Sequence, residues 1–200
     1  MEYRWLDLKK MPIWIHCKGY VVRDDNMKPL YMIGCINEIG ERQKADNVSG
    51  LLGESGFREY MNQLDTPLET GYLFRIGIDH FKEINDFLGH GTGDQVLQNT
   101  AKILDQCFRK EDIVGRLGGD EFVLLIRRID RIEAVHRMAK KLNESLCNTY
   151  EKDGQRIQIS ASIGIALGQA ETESFEKLYE KADEALYEVK REQKNGYKIY

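Results

Sequence analysis

No basic field runs through this chain: 29 Lys and Arg residues face 33 Asp and Glu, the formal net charge is −4, and the two signs are interspersed. Such a surface does not attract a phosphate backbone, which excludes nucleic acid as a partner. Cysteine is sparse. Cys17, Cys35, Cys107 and Cys147 lie far apart with no C-x-x-C pair, so neither a zinc ribbon nor a redox dithiol is indicated. Reduced thiols in a cytoplasmic protein are the expectation. No run approaches the roughly 18 to 20 apolar residues that span a bilayer, and MEYRWLDLKK lacks the apolar stretch of a secretory signal. The expectation is a polypeptide that makes no membrane contact through this segment, compatible with a parent protein tethered elsewhere. Internal repeats and low-complexity tracts are also missing.

What is present is an ordinary globular composition, 42% hydrophobic and 31% charged, enough for one main core and a small second one. PIWIHCKGYVV and LYMIGCIN read as strands joined by the polar turn RDDNMKP with Pro29. Two or three strands cannot bury both of their faces. Beyond EIGERQKADN, helices and strands alternate with short connections. Phe57, Tyr60, Met61 and Leu64 fall at helical spacing, Tyr72–Ile78 is a compact apolar strand, and Val96, Leu97, Ala101, Ile103 and Leu104 mark an amphipathic helix. DIVGRL and EFVLLI flank Gly118-Gly119-Asp120 as a hairpin. A charged helix is predicted from about Arg131 to Tyr150, then the strand IQISASIGIAL, the helix SFEKLYEKADEALYEVKREQ and the short strand YKIY. This order predicts an α/β (α+β) domain, a mixed sheet with helices packed on it, preceded by a short N-terminal β segment.

Chemistry concentrates in two places. RLGGDEF, Arg116–Phe122, sets two glycines before the carboxylates of Asp120 and Glu121. Glycines let a ligand approach the main chain, and paired carboxylates beside phosphates suit Mg²⁺, a hard cation that takes oxygen ligands. Gly-Gly-Asp is equally good chemistry for a plain turn. The second place, Ile78–Leu97, begins at a strand end and runs into a helix: backbone N–H groups at the helix start, with Lys82 beside them, suit a triphosphate. Asn85 and Asp94 offer amide and carboxylate groups for a purine edge. Asp79 is equally suited to cap the helix, and Asn85 to lie on the surface. His80 and His90 show no metal spacing and receive no role.

Taken together, D-x-F-K-x-I-N-D-x-x-G-H-x-x-G-D followed by R-x-G-G-D-E-F resembles the GGDEF (diguanylate cyclase) family, over about Asp46–Tyr200 and including SASIGIAL and ADEALYEVK. The resemblance implies that family's nucleotidyl-cyclase-like fold for residues 43–200. Residues 1–42 look like the closing strands of a PAS sensor domain and a linker. It implies that Asn85 and Asp94 recognise guanine, that Phe81, Lys82, Lys190, Gly118 and Gly119 contact GTP, and that Asp120, Glu121 and the Ile78 backbone carbonyl hold Mg²⁺ or Mn²⁺. Asp120, Glu121 and Lys82 would be catalytic. In the family's reaction each subunit of a homodimer holds one GTP, and each 3′-hydroxyl attacks the other's α-phosphate, giving cyclic di-GMP and pyrophosphate. Arg109 and Asp112 stand at the position of the family's R-x-x-D inhibitory site for cyclic di-GMP.

The chain departs from the pattern at Gly77, where the family carries an acidic metal ligand two positions before Asp79. Asp79 lies on the same strand face as position 77 and is the carboxylate placed to substitute for it. The opening motif also differs, with Gly53-Glu54 in place of Asn-Arg, and no heptad run links the two segments. The expectation is a diguanylate cyclase weakened by Gly77. The alternative is a degenerate module that binds GTP or cyclic di-GMP without turnover.

Overall fold

The computed structural model describes residues 2–6, 12–24, 26–38, 45–62, 71–109, 112–129, 131–168 and 175–200. The chain divides into two compact units, Met1–Ala45 and Asp46–Tyr200. In the first, β1 (Glu2–Leu6), β2 (Pro12–Arg23) and β3 (Pro29–Glu38) form an antiparallel sheet in that order. The polar turn forms because Asp24 Oδ1 accepts the backbone N–H groups of Asn26 and Lys28, each at 2.9 Å. Pro29 opens β3, a position where its missing N–H costs no ladder bond.

The second unit contains β4 (Leu52–Gly53), α1 (Glu54–Asn62), β5 (Gly71–Asp79), α2 (Phe81–Glu83), a π-helical turn (Ile84–Leu88), α3 (His90–Cys107), β6 (Ile113–Gly118), β7 (Glu121–Arg127), α4 (Ile132–Ser145), β8 (Asn148–Lys152), β9 (Gln155–Gly168), α5 (Phe175–Glu192) and β10 (Gly196–Ile199). The strands form one mixed sheet in the order β10-β9-β5-β7-β6-β4, with β8 paired to β9. β5 runs antiparallel to both β7 and β9 and is buried at all nine positions, which is why YLFRIGI is apolar apart from Arg75.

Each face of β5 has its own core. Tyr72, Phe74, Ile76 and Ile78 pack with Val96, Leu97 and Leu104 of α3 and with Val135, Ala139 and Leu142 of α4. Leu73 packs on the opposite face with Phe57 and Met61 of α1 and Leu178 and Ala182 of α5. Helices therefore cover the sheet on both sides, as the alternation of elements predicts.

The predicted helix to Tyr150 is shorter than expected. α4 stops at Ser145, and residues 148–152 form β8, joined to β9 by Asp153 (φ 51°) and Gly154 (φ 80°). Asp-Gly in the left-handed region makes the two-residue hairpin turn that suits strand twist, and this local signal outweighs the helical period before it.

Candidate functional site

Two segments meet at one end of the central strands. β5 ends at Asp79 opposite the start of β7, with Gly77 registered against Glu121, and the Ile78 N–H donates to the Asp120 carbonyl at 3.2 Å. The Gly-Gly turn and the strand-to-helix junction, 40 residues apart in sequence, are thus hydrogen-bonded neighbours. Gly118 (φ 139°) and Gly119 (φ 51°) both hold backbone angles that favour glycine, and the space where a Cβ would project from either is open. Arg116 fixes this turn from below: its Nε and Nη2 donate to the Gly119 carbonyl at 3.1 and 2.7 Å, and its Nη1 contacts both Asp46 carboxylate oxygens at 2.7 and 2.8 Å. Burial pushes the Asp46 carboxyl up, but the bonds from Arg116 and Ser49 outweigh it and hold the pKa below the usual carboxylate value. Asp46, the first residue of the opening motif, therefore works at the turn, 70 residues away.

On the other side of the junction the helix start is brief. α2 has three residues, its cap residue His80 sits at φ 63°, and the chain passes at once into the π-helical turn that carries Asn85. A π-helical turn frequently marks a functional position because it redirects one side chain. Here the redirected amide packs on α3: a Cβ at Gly93 would collide with Asn85 Oδ1 and come within 3.5 Å of the Phe81 ring. Phe81, Asn85 and the Gly93-Asp94 segment thus gather in one cluster, with Lys82 and Asp94 exposed beside it.

Asp79 does not stand in for the missing acid. It is buried, and its carboxylate accepts from Ser160 Oγ (2.7 Å), Ser162 Oγ (2.8 Å) and the Asn195 backbone N–H (3.0 Å). Nor does it cap α2, which has no side-chain cap. Its three donors commit it to tying β5 to β9 and to the turn before β10.

The space over Gly77 is filled by a cation. A Cβ at this residue would lie 2.7 Å from Lys190 Nζ and 2.8 Å from its Cε, so the lysine of α5 rests where the family's acidic side chain would start. A second cation lies two residues down the same strand face. Arg75, its side chain only 4% exposed, donates from Nη2 to Glu121 Oε2 at 2.9 Å and to Asp183 Oδ1 at 3.0 Å, and its guanidinium stacks 4.3 Å from the Tyr179 ring centroid. Sequence reasoning missed Arg75. The available signal was an arginine inside an otherwise apolar strand, since a buried guanidinium must find partners.

These contacts decide how the site suits a divalent ion. Of the two acidic side chains in RLGGDEF, Glu121 is already paired with Arg75, position 77 offers no side-chain carboxylate, and an ammonium covers it. Among the described residues no three His, Cys, Asp or Glu side chains converge to hold a metal. As arranged, the residues do not fit the implied Mg²⁺ or Mn²⁺.

Arg109 and Asp112 lie elsewhere. They precede β6 at the end opposite Gly118, roughly 20 Å away at about 3.3 Å per strand residue. Asp112 is buried and its Oδ2 accepts the Arg109 backbone N–H at 3.0 Å, while Arg109 is exposed.

Comparison with known proteins accords with this geometry. The sequence profile of the family described as diguanylate cyclase, GGDEF domain, matches residues 44–196. Diguanylate cyclase A of Treponema denticola is 37% identical over 138 residues, covering 68% of this chain and 36% of that protein. Diguanylate cyclase DosC of Escherichia coli K12 is 35% identical over 143 residues, 70% of this chain and 30% of that protein. The chain thus spans about a third of the length of these curated relatives. The crystal structure of the GGDEF domain of DgcB from Caulobacter crescentus, in complex with cyclic di-GMP, superposes with a TM-score of 0.71 at 26% identity, covering 78% of this chain and 95% of that one. With the profile spanning well over half of its length, its glycine turn hydrogen-bonded to the strand-to-helix junction and its helices on both faces of one mixed sheet, the chain belongs to the GGDEF domain family.

Proposed function

We propose that this GGDEF domain binds GTP at the junction of β5 with the β6–β7 turn and serves cyclic di-GMP signalling as a nucleotide-binding module. The observation that carries the reading is the 3.2 Å bond from the Ile78 N–H to the Asp120 carbonyl, which joins the two motifs into one site. In this reading Asn85 and Asp94 bind the guanine edge, with Phe81 packed beside Asn85. Lys82 and Lys190 meet the phosphates, and the main chain at Gly118 and Gly119 lies along the nucleotide. Charged groups around a phosphate give hydrogen bonds about twice as strong as neutral ones, so the lysines set affinity and the amide sets base choice.

Turnover is the second reading, favoured by the relatives named diguanylate cyclases and by the retained Asp120, Glu121 and Lys82. It calls for a homodimer in which each bound GTP presents its 3′-hydroxyl to the α-phosphate of the other, releasing pyrophosphate. Effective positioning tolerates errors well below 1 Å, and a displacement of about that size costs on the order of 100-fold. Gly77 and the Arg75-bound Glu121 support the binding reading. Arg109 and Asp112 are the candidate site for cyclic di-GMP, the ligand of the DgcB crystal structure. The antiparallel β1–β3 sheet supports a PAS-like reading of the first unit.

The test is a pair of measurements on the full chain. Calorimetry with GTP should register binding, and incubation of concentrated protein with GTP and Mg²⁺ or Mn²⁺ should give no cyclic di-GMP above an Asp120→Ala control. Product that rises steeply with protein concentration would establish the cyclase reading instead. Absence of any heat from GTP would remove the pocket.

A further inference from the structure

Two cations, Lys190 over Gly77 and Arg75 on Glu121, occupy the ground that a metal ion would need. The face of β5 toward α5 carries Arg75 and Gly77 in alternate positions, registered against Val123 and Glu121 of β7. Lys190 reaches across from α5 and lies over Gly77. Arg75 is sunk in the core beneath and holds Glu121 and Asp183 at once. Its Nε and Nη1 are buried without hydrogen-bond partners among the described residues, so this guanidinium is retained at the cost of two unsatisfied nitrogens.

A divalent ion beside phosphates is useful because it offsets carboxylates and phosphate oxygens together. Here the balance is already struck. One acidic position is glycine, the Glu121 carboxylate is neutralised internally, and the ammonium of Lys190 would stand in direct repulsion with a dication placed over Gly77. An arriving phosphate meets the opposite field: Lys190 lies over Gly77, the Gly118-Gly119 turn is open, and Lys82 is exposed just past the end of β5.

We propose that the chain's own cations, Lys190 over Gly77 and the Arg75 guanidinium on Glu121, replace the divalent ion, so that this domain binds nucleotide phosphates without a metal. The inference rests on the GTP reading above and deepens it. A bound nucleotide is held by fixed side-chain charge, and changes in divalent-ion concentration leave its occupancy unchanged.

The experiment is calorimetry of GTP onto the full chain in Mg²⁺ and again in EDTA. Affinities in the two conditions should agree within about threefold, well under the tenfold that 1.4 kcal/mol represents. Lys190→Met should weaken both by about tenfold or more, as loss of one phosphate-facing cation requires. Binding seen in Mg²⁺ but lost in EDTA would overturn the inference and leave the GTP pocket standing. No binding in either condition would remove both. A second readout uses Mn²⁺ alone, followed by its paramagnetic resonance. The wild-type chain should leave the Mn²⁺ signal free, and Gly77→Asp combined with Arg75→Met and Lys190→Met should capture it, because these changes supply one carboxylate, release another and remove the ammonium that repels the ion. Mn²⁺ capture by the wild-type chain would also overturn the inference.

Discussion

Arg116 is satisfied at both ends of its guanidinium, by the Gly119 carbonyl and by Asp46, and the second contact is titratable. The pair is largely buried, at 10% and 21% side-chain exposure, so solvent screens it little. Because the folded-state pKa of Asp46 is lowered, its contribution is complete above the unfolded value of about 3.9 and is lost as the pH falls through the folded value. Asp46→Asn should cost roughly 1.5 to 3 kcal/mol at pH 7, the range for a hydrogen bond to a charged group. The difference from wild type should shrink as unfolding is repeated in urea at pH 5, 4 and 3. A difference that stays constant over that range would show that the carboxylate charge is not what Arg116 requires. At this scale the motif residues were legible, and their partners were not. Asp79 reads from sequence as a substitute ligand or a helix cap, yet three donors from β9 and the Asn195 turn already claim it.

Elements were legible where the apolar period is long and unbroken. The α3 stripe, the hairpin of β6 and β7, and α5 follow their patterns, whereas α4 and β8 exchange residues because an Asp-Gly turn acts over four positions and a helical period acts over many. What no period reveals is how closely two elements approach. α5 lies so near β9 that a Cβ on Gly164 would strike the Ala182 carbonyl oxygen and the Leu186 backbone nitrogen. Neither atom can rotate away, so Gly164→Ala must lift the helix. It should destabilise the domain by about 1 to 3 kcal/mol or more, the usual range for overpacking, measured as a lower urea midpoint. It should also weaken GTP, because Lys190 rides on the displaced helix. Wild-type stability in this variant would mean that α5 does not sit on β9 as described.

Among the described residues of the whole molecule, both apolar cores belong to Asp46–Tyr200, and this unit covers its sheet on both faces from its own helices. A chain beginning at Asp46 should therefore unfold in one cooperative transition and retain GTP binding within about threefold of the full chain. A broad, non-cooperative melt, followed by near-ultraviolet circular dichroism, would show that the core depends on residues 1–45. The family and the α/β class were readable in advance, since both motifs and the alternation of strands and helices are written in consecutive residues.

The sequence by itself determined the α/β class, the glycine turn, the strand-to-helix junction and the absence of an acid at position 77, because each is a property of neighbouring residues. Only the tertiary structure decided what fills the gap and what Glu121 does. Arg75 reaches Glu121 across 46 residues and Asp183 across 108, and Lys190 arrives from the last helix. Such pairings follow from strand register and helix approach, which long-range packing sets and local pattern does not encode.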